Sequence, residues 1–192
     1  MHDQPTSADV LLFWFGDASE RGKSQKRWFD KNAAFDREVR ERFFPLYEHA
    51  AAGRMSSLKE HPLDCLALII VLDQLPRNMF RGTPSAFATD ALAVDAARHA
   101  VDRRFDRKMH PVERMFTYLP FEHSELLADQ ERACELTQAL DAFEETKDAY
   151  RYAVLHREII RRFGRFPHRN AILGRASTPD EIEFLKGPGS SF

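Results

Sequence analysis

Apolar residues recur at helical spacing almost from one end of the chain to the other. Residues 10–15 form an apolar run that Ser7 can cap and Gly16 ends. A longer amphipathic stretch opens at Ser24 and carries Trp28, Phe35, Val39 and Phe43 on one side. Pro45, which has no N–H and crowds the preceding turn, should kink or restart that stretch before Gly53 stops it. Pro62 suits the first position of a helix to about residue 75, Thr89 or Asp90 caps another through Ala100, and Pro111 starts a short one to Thr117. Two long helices follow, over about 120–143 and 148–163, and Ser177-Thr-Pro-Asp-Glu181 signals a last short one before Gly187. Strand alternation is nearly absent, and the prolines and glycines fall between the helical segments. The pattern predicts an all-α fold: one domain over 1–192, with helices stacked as antiparallel hairpins.

Within this pattern, a few polar residues stand where apolar ones belong. Residues 66–72 are apolar on every side, so their helix should be central. Asp73 and Gln74 follow before any turn, and Arg77 lies four residues beyond Asp73. Pro76 disrupts regular helix between them, but a carboxylate leaving a buried helix costs several kcal/mol without a partner, so Arg77 or another cation should pair with it. On the helix over 148–163, His156 sits in the stripe of Ala149, Tyr152, Ala153, Ile159, Ile160 and Phe163 and should point inward. It can be satisfied by a backbone carbonyl or by a carboxylate such as Asp73. On the helix over 120–143, His123 shares a face with Leu127 and Gln130, four and seven residues on.

Two turns echo each other. Leu75-Pro-Arg-Asn78 and Phe166-Pro-His-Arg-Asn170 each give proline, then Arg-Asn, then Gly82 or Gly174 beside a further arginine, Arg81 or Arg175. Proline preorganises a turn, and a guanidinium offers a planar fork of donors suited to carboxylate or phosphate. If both turns lie at one end of the helix stack, Arg77, Asn78, Arg169 and Asn170 line an anion-attracting pocket, with Asp73, His123, His156 and His168 beneath and beside them. The opposing reading is a rigid lattice in which the arginines cap helix ends and pair with Glu122, Glu125 and Asp129.

Composition narrows the classes. The 192 residues, 43% of them hydrophobic, are enough for one core. A net charge of -2 gives no reason to expect nucleic acid or an acidic membrane surface as a partner. Residues 120–149 are strongly acidic and 151–175 strongly basic, as two attracting halves of a hairpin or as separately solvated faces. Two cysteines, Cys65 and Cys134, make no disulfide framework and no thiolate metal site by themselves. The longest apolar run, 66–72, is too short to span a bilayer, and Met1-His-Asp-Gln-Pro5 opens no export signal, so a cytoplasmic protein is expected. His123, His156 and His168 lack metal-ligand spacing, and no metal or cofactor is expected. The oligomeric state stays open.

Gly16-Asp-Ala-Ser-Glu-Arg-Gly22-Lys23-Ser24 imitates a phosphate-binding loop, with Asp73 ending a second apolar run as a magnesium carboxylate would. The loop needs four residues between its glycines and has five, and no parallel strands exist to hold it.

Several of these segments resemble a bacterial family catalogued as domain of unknown function 924. They are Val10-Leu-Leu-Phe-Trp-Phe-Gly-Asp17, residues 68–83 with Asp-Gln-Leu-Pro-Arg-Asn at their centre, Tyr118-Leu-Pro-Phe-Glu-His-Ser-Glu125 with Asp129 and Gln130, and residues 156–192 with Arg165-Phe-Pro-His-Arg-Asn170. The resemblance implies a helical superhelix similar to tetratricopeptide repeats, although no 34-residue consensus is legible. It brings no activity.

Three functions fit. The first is a module binding an anionic small molecule or peptide carboxylate between the two Arg-Asn turns. The second is a hydrolase-type enzyme using Asp73 and a histidine as an acid–base pair. The third is a protein-interaction scaffold whose polar cluster only fixes its packing.

Overall fold

The computed structural model describes residues 4–190; the opening Met-His-Asp and Phe192 lie outside the described residues. It is all-α, with no strand among the described residues. No described helix is long and apolar enough to cross a membrane. The missing sheet disposes of the phosphate-loop imitation: Gly16 (φ 82°) closes the first helix, and Gly22 packs against the His110 ring, 3.2 Å from where its Cβ would stand.

Helix α1 spans Ser7–Phe15, capped one residue earlier than expected, because Thr6 and Asp9 form a reciprocal pair across the first turn. Ser24 starts no α-helix. Trp28 lies on a 3₁₀ turn, Lys26–Trp28, and α2 (Ala33–Ala51) begins where the Asn32 side chain accepts the N–H groups of Ala34 and Phe35. Pro45 sits inside α2 without ending it. The carbonyl it deprives of a donor belongs to exposed Glu41, where water can serve, while Phe35, Val39, Phe43, Leu46, Tyr47 and Ala50 remain buried on the other face.

The central rod is continuous. Helix α3 (Pro62–Ile69) passes through a π-helical turn, Ile70–Gln74, into α4 (Leu75–Met79). The first Arg-Asn turn is therefore helix. The hydroxyl of Thr89 donates to the carbonyl of Leu72 on the π-helical turn at 2.6 Å. That bond ties the start of α5 (Asp90–Asp102) to the turn carrying Asp73.

Helix α6 (Pro111–His123) runs past Thr117 and through Pro120. The chain breaks at Ser124, whose hydroxyl accepts the N–H of Leu126, and α7 follows over Leu127–Thr137. His123 and Gln130 thus belong to different helices. Gln130 folds back, fully buried, and its amide donates to the carbonyls of Glu122 (2.6 Å) and Ser124 (2.7 Å) that end α6. Helix α8 (Ala149–Phe163) ends at Gly164 in the left-handed region (φ 69°), and α9 (Pro179–Leu185) starts from a Thr178–Glu181 capping box.

Helices adjacent in the chain pack on one another: α5 on α6, α6 on α7 and α7 on α8, with α3 against α1, α5 and α6. The core is aromatic near α1, where the Phe116 ring meets Trp14, Phe15 and Trp28 edge-on at 4.8–5.6 Å. Each such pair contributes ~0.5–1.5 kcal/mol beyond burial. The basic segment satisfies its charges in two ways: Arg157 and Arg161 pair locally on Glu158, whereas Arg165, Arg169 and Arg175 reach distant acids, and of these only Arg175 pairs with the acidic segment, at Glu125.

Candidate functional site

Asp73 is fully buried on the π turn, a place where a helix opens by one residue and re-aims a side chain. Its carboxylate receives Arg77 Nη2 at 3.0 Å and the Gln74 amide at 2.5 Å, and lies 2.7 Å from His123 Nδ1 at the last position of α6. Burial alone would raise the Asp73 pKa. The charge of a protonated His123, the Arg77 guanidinium and the hydrogen bonds from His123 and Gln74 outweigh it and hold the group below the usual carboxylate range. Burial, and then Arg77, hold the His123 imidazole below its ordinary value against the pull of Asp73. Arg77 acts on both, favouring a carboxylate and disfavouring an imidazolium. The resting pair is an ionised Asp73 accepting Nδ1–H of a neutral His123, which leaves the Nε2 lone pair as the ring's basic position.

Above this pair the two arginines of the echoed turns converge. Arg77 Nη2 is 3.0 Å from Asp90 Oδ1, and Arg169 Nη1, from the 3₁₀ turn Pro167–Arg169, is 3.2 Å from Asp90 Oδ2. One carboxylate at the first position of α5 thus bridges guanidinium groups from distant parts of the chain. The Arg169 guanidinium lies between the rings of Phe87 (4.6 Å) and Phe166 (4.5 Å), and Arg77 lies over the same Phe87 ring at 5.7 Å. Side chains of Arg77, Asp90 and His123 are 20%, 17% and 16% exposed, whereas Arg169 is 7% exposed. The site therefore has a partly open rim and a closed floor. The Nε atoms of both arginines are buried and find no hydrogen-bond acceptor among the described residues.

His156 lies behind the pair. Its Nδ1 is 2.8 Å from the Tyr152 carbonyl, which can only accept, so Nδ1 is the donor. Burial pushes its pKa down to about 3. The neighbouring Glu122, with Oε2 3.7 Å from that Nδ1, is pushed up to about 8 by burial and the charge of Asp73. Both are neutral at pH 7, and Glu122 takes no arginine partner among the described residues. His168 lies tilted beside Phe166 (ring centroids 5.5 Å) and is pushed down to about 4 by burial, with Arg169 adding to the shift.

The two asparagines turn away from the site. Asn78 donates to Asp36 at 2.8 Å, a carboxylate that Arg81 grips with two bonds of 2.8 Å. Asn170 donates to Ser177 and to Glu181, which Arg165 grips at 2.7 and 2.8 Å. The echo thus extends further than the sequence motif: in each turn, Asn and a neighbouring Arg anchor one acid of another element, while the motif arginine faces Asp90. Arg175 secures the second turn through Glu125, whose carboxylate also accepts the N–H of Phe166. Of the expected set, Asp73, Arg77, His123 and Arg169 come together, with His156 and His168 beside them; Asn78 and Asn170 do not reach the centre. Asp90 and Phe87 escaped the sequence reading because an acid at a helix start reads as a cap, and a lone phenylalanine as core.

Within this all-helical fold, a buried acid–histidine pair lies under two arginines bridged by one carboxylate. The family model described as bacterial protein of unknown function (DUF924) matches residues 10–189, and the chain belongs to that family. A solved structure, a protein of unknown function (ATU0120) from Agrobacterium tumefaciens, is similar at 42% identity and a TM-score of 0.85, covering 94% of this chain and 97% of its own. No curated protein matches.

Proposed function

We propose that the protein binds a small anion, a carboxylate or phosphate with two or more acceptor oxygens, at the rim formed by Arg77 and Arg169 beside His123. The observation that carries this reading is the meeting of the two guanidinium groups on one carboxylate over the Asp73–His123 pair. A cluster meant only for packing gains little from charges this well buried, since hydrophobic replacements of similar volume are often as stable. Both arginines retain a donor, Nε, without an acceptor among the described residues.

Thermal-shift titration with succinate and with inorganic phosphate tests the reading. Either anion raises the unfolding temperature of the wild type, and Arg169→Ala, while still folding, loses that rise. An undiminished rise in Arg169→Ala overturns it.

The 2.7 Å contact between His123 Nδ1 and Asp73 favours a second reading, acid–base chemistry on the bound anion. Asp73 fixes the tautomer, His123 Nε2 takes the proton, and the arginines hold developing negative charge. His123→Gln would then abolish turnover of a substrate while leaving its binding intact; loss of binding alone would reduce His123 to a contact residue.

A further inference from the structure

We propose that Asp90 is an internal competitor: it occupies a carboxylate seat between Arg77 and Arg169 that a ligand's own carboxylate takes over by displacing it. This rests on the anion-binding reading above and adds the ligand class and its control.

The seat has the form of a planar two-oxygen acceptor site, since Asp90 gives one oxygen to each guanidinium. Both guanidinium groups are held independently of Asp90. Arg169 is fixed between Phe87 and Phe166, and Arg77 is fixed by Asp73 (3.0 Å) and the Ala86 carbonyl (3.3 Å). Neither depends on Asp90 for its position, so a departing Asp90 leaves a preformed fork.

Asp90 is also held more loosely than the acids that serve as struts. Arg81 on Asp36, Arg165 on Glu181 and Arg175 on Glu125 each bond through two nitrogens, at 2.7 to 3.0 Å. Each bond to Asp90 is single, at 3.0 and 3.2 Å, where a strong charge-assisted bond is ~2.7–2.9 Å. The backbone of Asp90 is secured by its neighbour Thr89 through the Leu72 carbonyl, so release requires only rotation of a side chain already at the rim. Swung outward, it remains an acid at the start of α5, where the helix dipole favours it.

Calorimetric titration of the wild type, Asp90→Asn and Asp90→Ser with sodium acetate and with inorganic phosphate tests this. If Asp90 fills the seat most of the time, removing its charge raises apparent acetate affinity about tenfold or more. Asp90→Ser shows the same gain should the amide variant fold poorly, and phosphate gains less than acetate. If the wild type binds acetate and neither variant binds it more tightly, Asp90 is a strut and the competitor is overturned while anion binding stands. A phosphate gain equal to or above that of acetate overturns the carboxylate assignment. If none of the three proteins binds either anion, this inference and the reading beneath it both fail.

Discussion

The hydroxyl of Thr89 donates to the carbonyl oxygen of Leu72 at 2.6 Å, on the π turn that carries Asp73. Through this contact the central rod positions α5, and with it Asp90, against Arg77. Thr89→Val should destabilise the protein by ~1–3 kcal/mol, the cost of a buried carbonyl left without its donor. Urea unfolding measures the loss; a Thr89→Val variant as stable as the wild type would mean that the bond has no such role.

Asp73→Asn removes the charge on which Arg77 and His123 both depend and should cost ~3–5 kcal/mol. It should also change the acid limb of stability. A carboxyl held below its unfolded value stabilises the native state above the ordinary carboxylate range, and that contribution fades as pH falls through and below it. Urea unfolding between pH 2 and 7 should show a shallower acid slope in the variant; an unchanged slope would place the titration elsewhere.

Glu122 works in the opposite direction. With its folded value raised to about 8, it binds a proton more tightly in the native state, so its contribution falls as pH rises from the unfolded carboxylate range, ~4.3, to about 8. The groups facing it are Asp73 and His156. His156, held down at about 3, has its slope at lower pH, from about 3 to its ordinary ~6.5. Glu122→Gln should therefore flatten the decline in stability between pH 6.5 and 8, above the range of the His156 slope, and leave the limb below ~4.3 alone. A wild type without that decline contradicts a protonated Glu122.

Asn78→Ala and Asn170→Ala should each lower stability by ~1–3 kcal/mol, because each leaves an anchored carboxylate short of a donor. Neither should change anion affinity, since both amides face away from the arginine pair. A loss of affinity equal to that of Arg169→Ala would show that the asparagines do reach the ligand.

Much of the fold was legible from helical spacing, and so was the Asp73–Arg77 pair, because a carboxylate leaving a buried helix needs a cation and Arg77 stands four residues on. The inward turn of His156 and its satisfaction by a backbone carbonyl were equally accessible. Other features depend on tertiary geometry. A π turn has no marker beyond Pro76, so α4 reads as a loop. Pro120 looks like a helix start, yet the break falls at Ser124, where a hydroxyl and the distant Gln130 cap the chain end. The asparagines were assigned to the site by proximity in sequence, whereas Asp36 and Glu181 draw them outward. Asp90 carries no local sign of its partners, because Arg77 and Arg169 reach it only in the folded chain.

Arginine side-chain NMR during a succinate titration tests the central claim most directly. The Nε–H resonances of Arg77 and Arg169 should shift together with one dissociation constant, while those of Arg81 and Arg165, committed to Asp36 and Glu181, stay in place. Shifts spread over all four arginines, or none at Arg77 and Arg169, would contradict a shared anion seat.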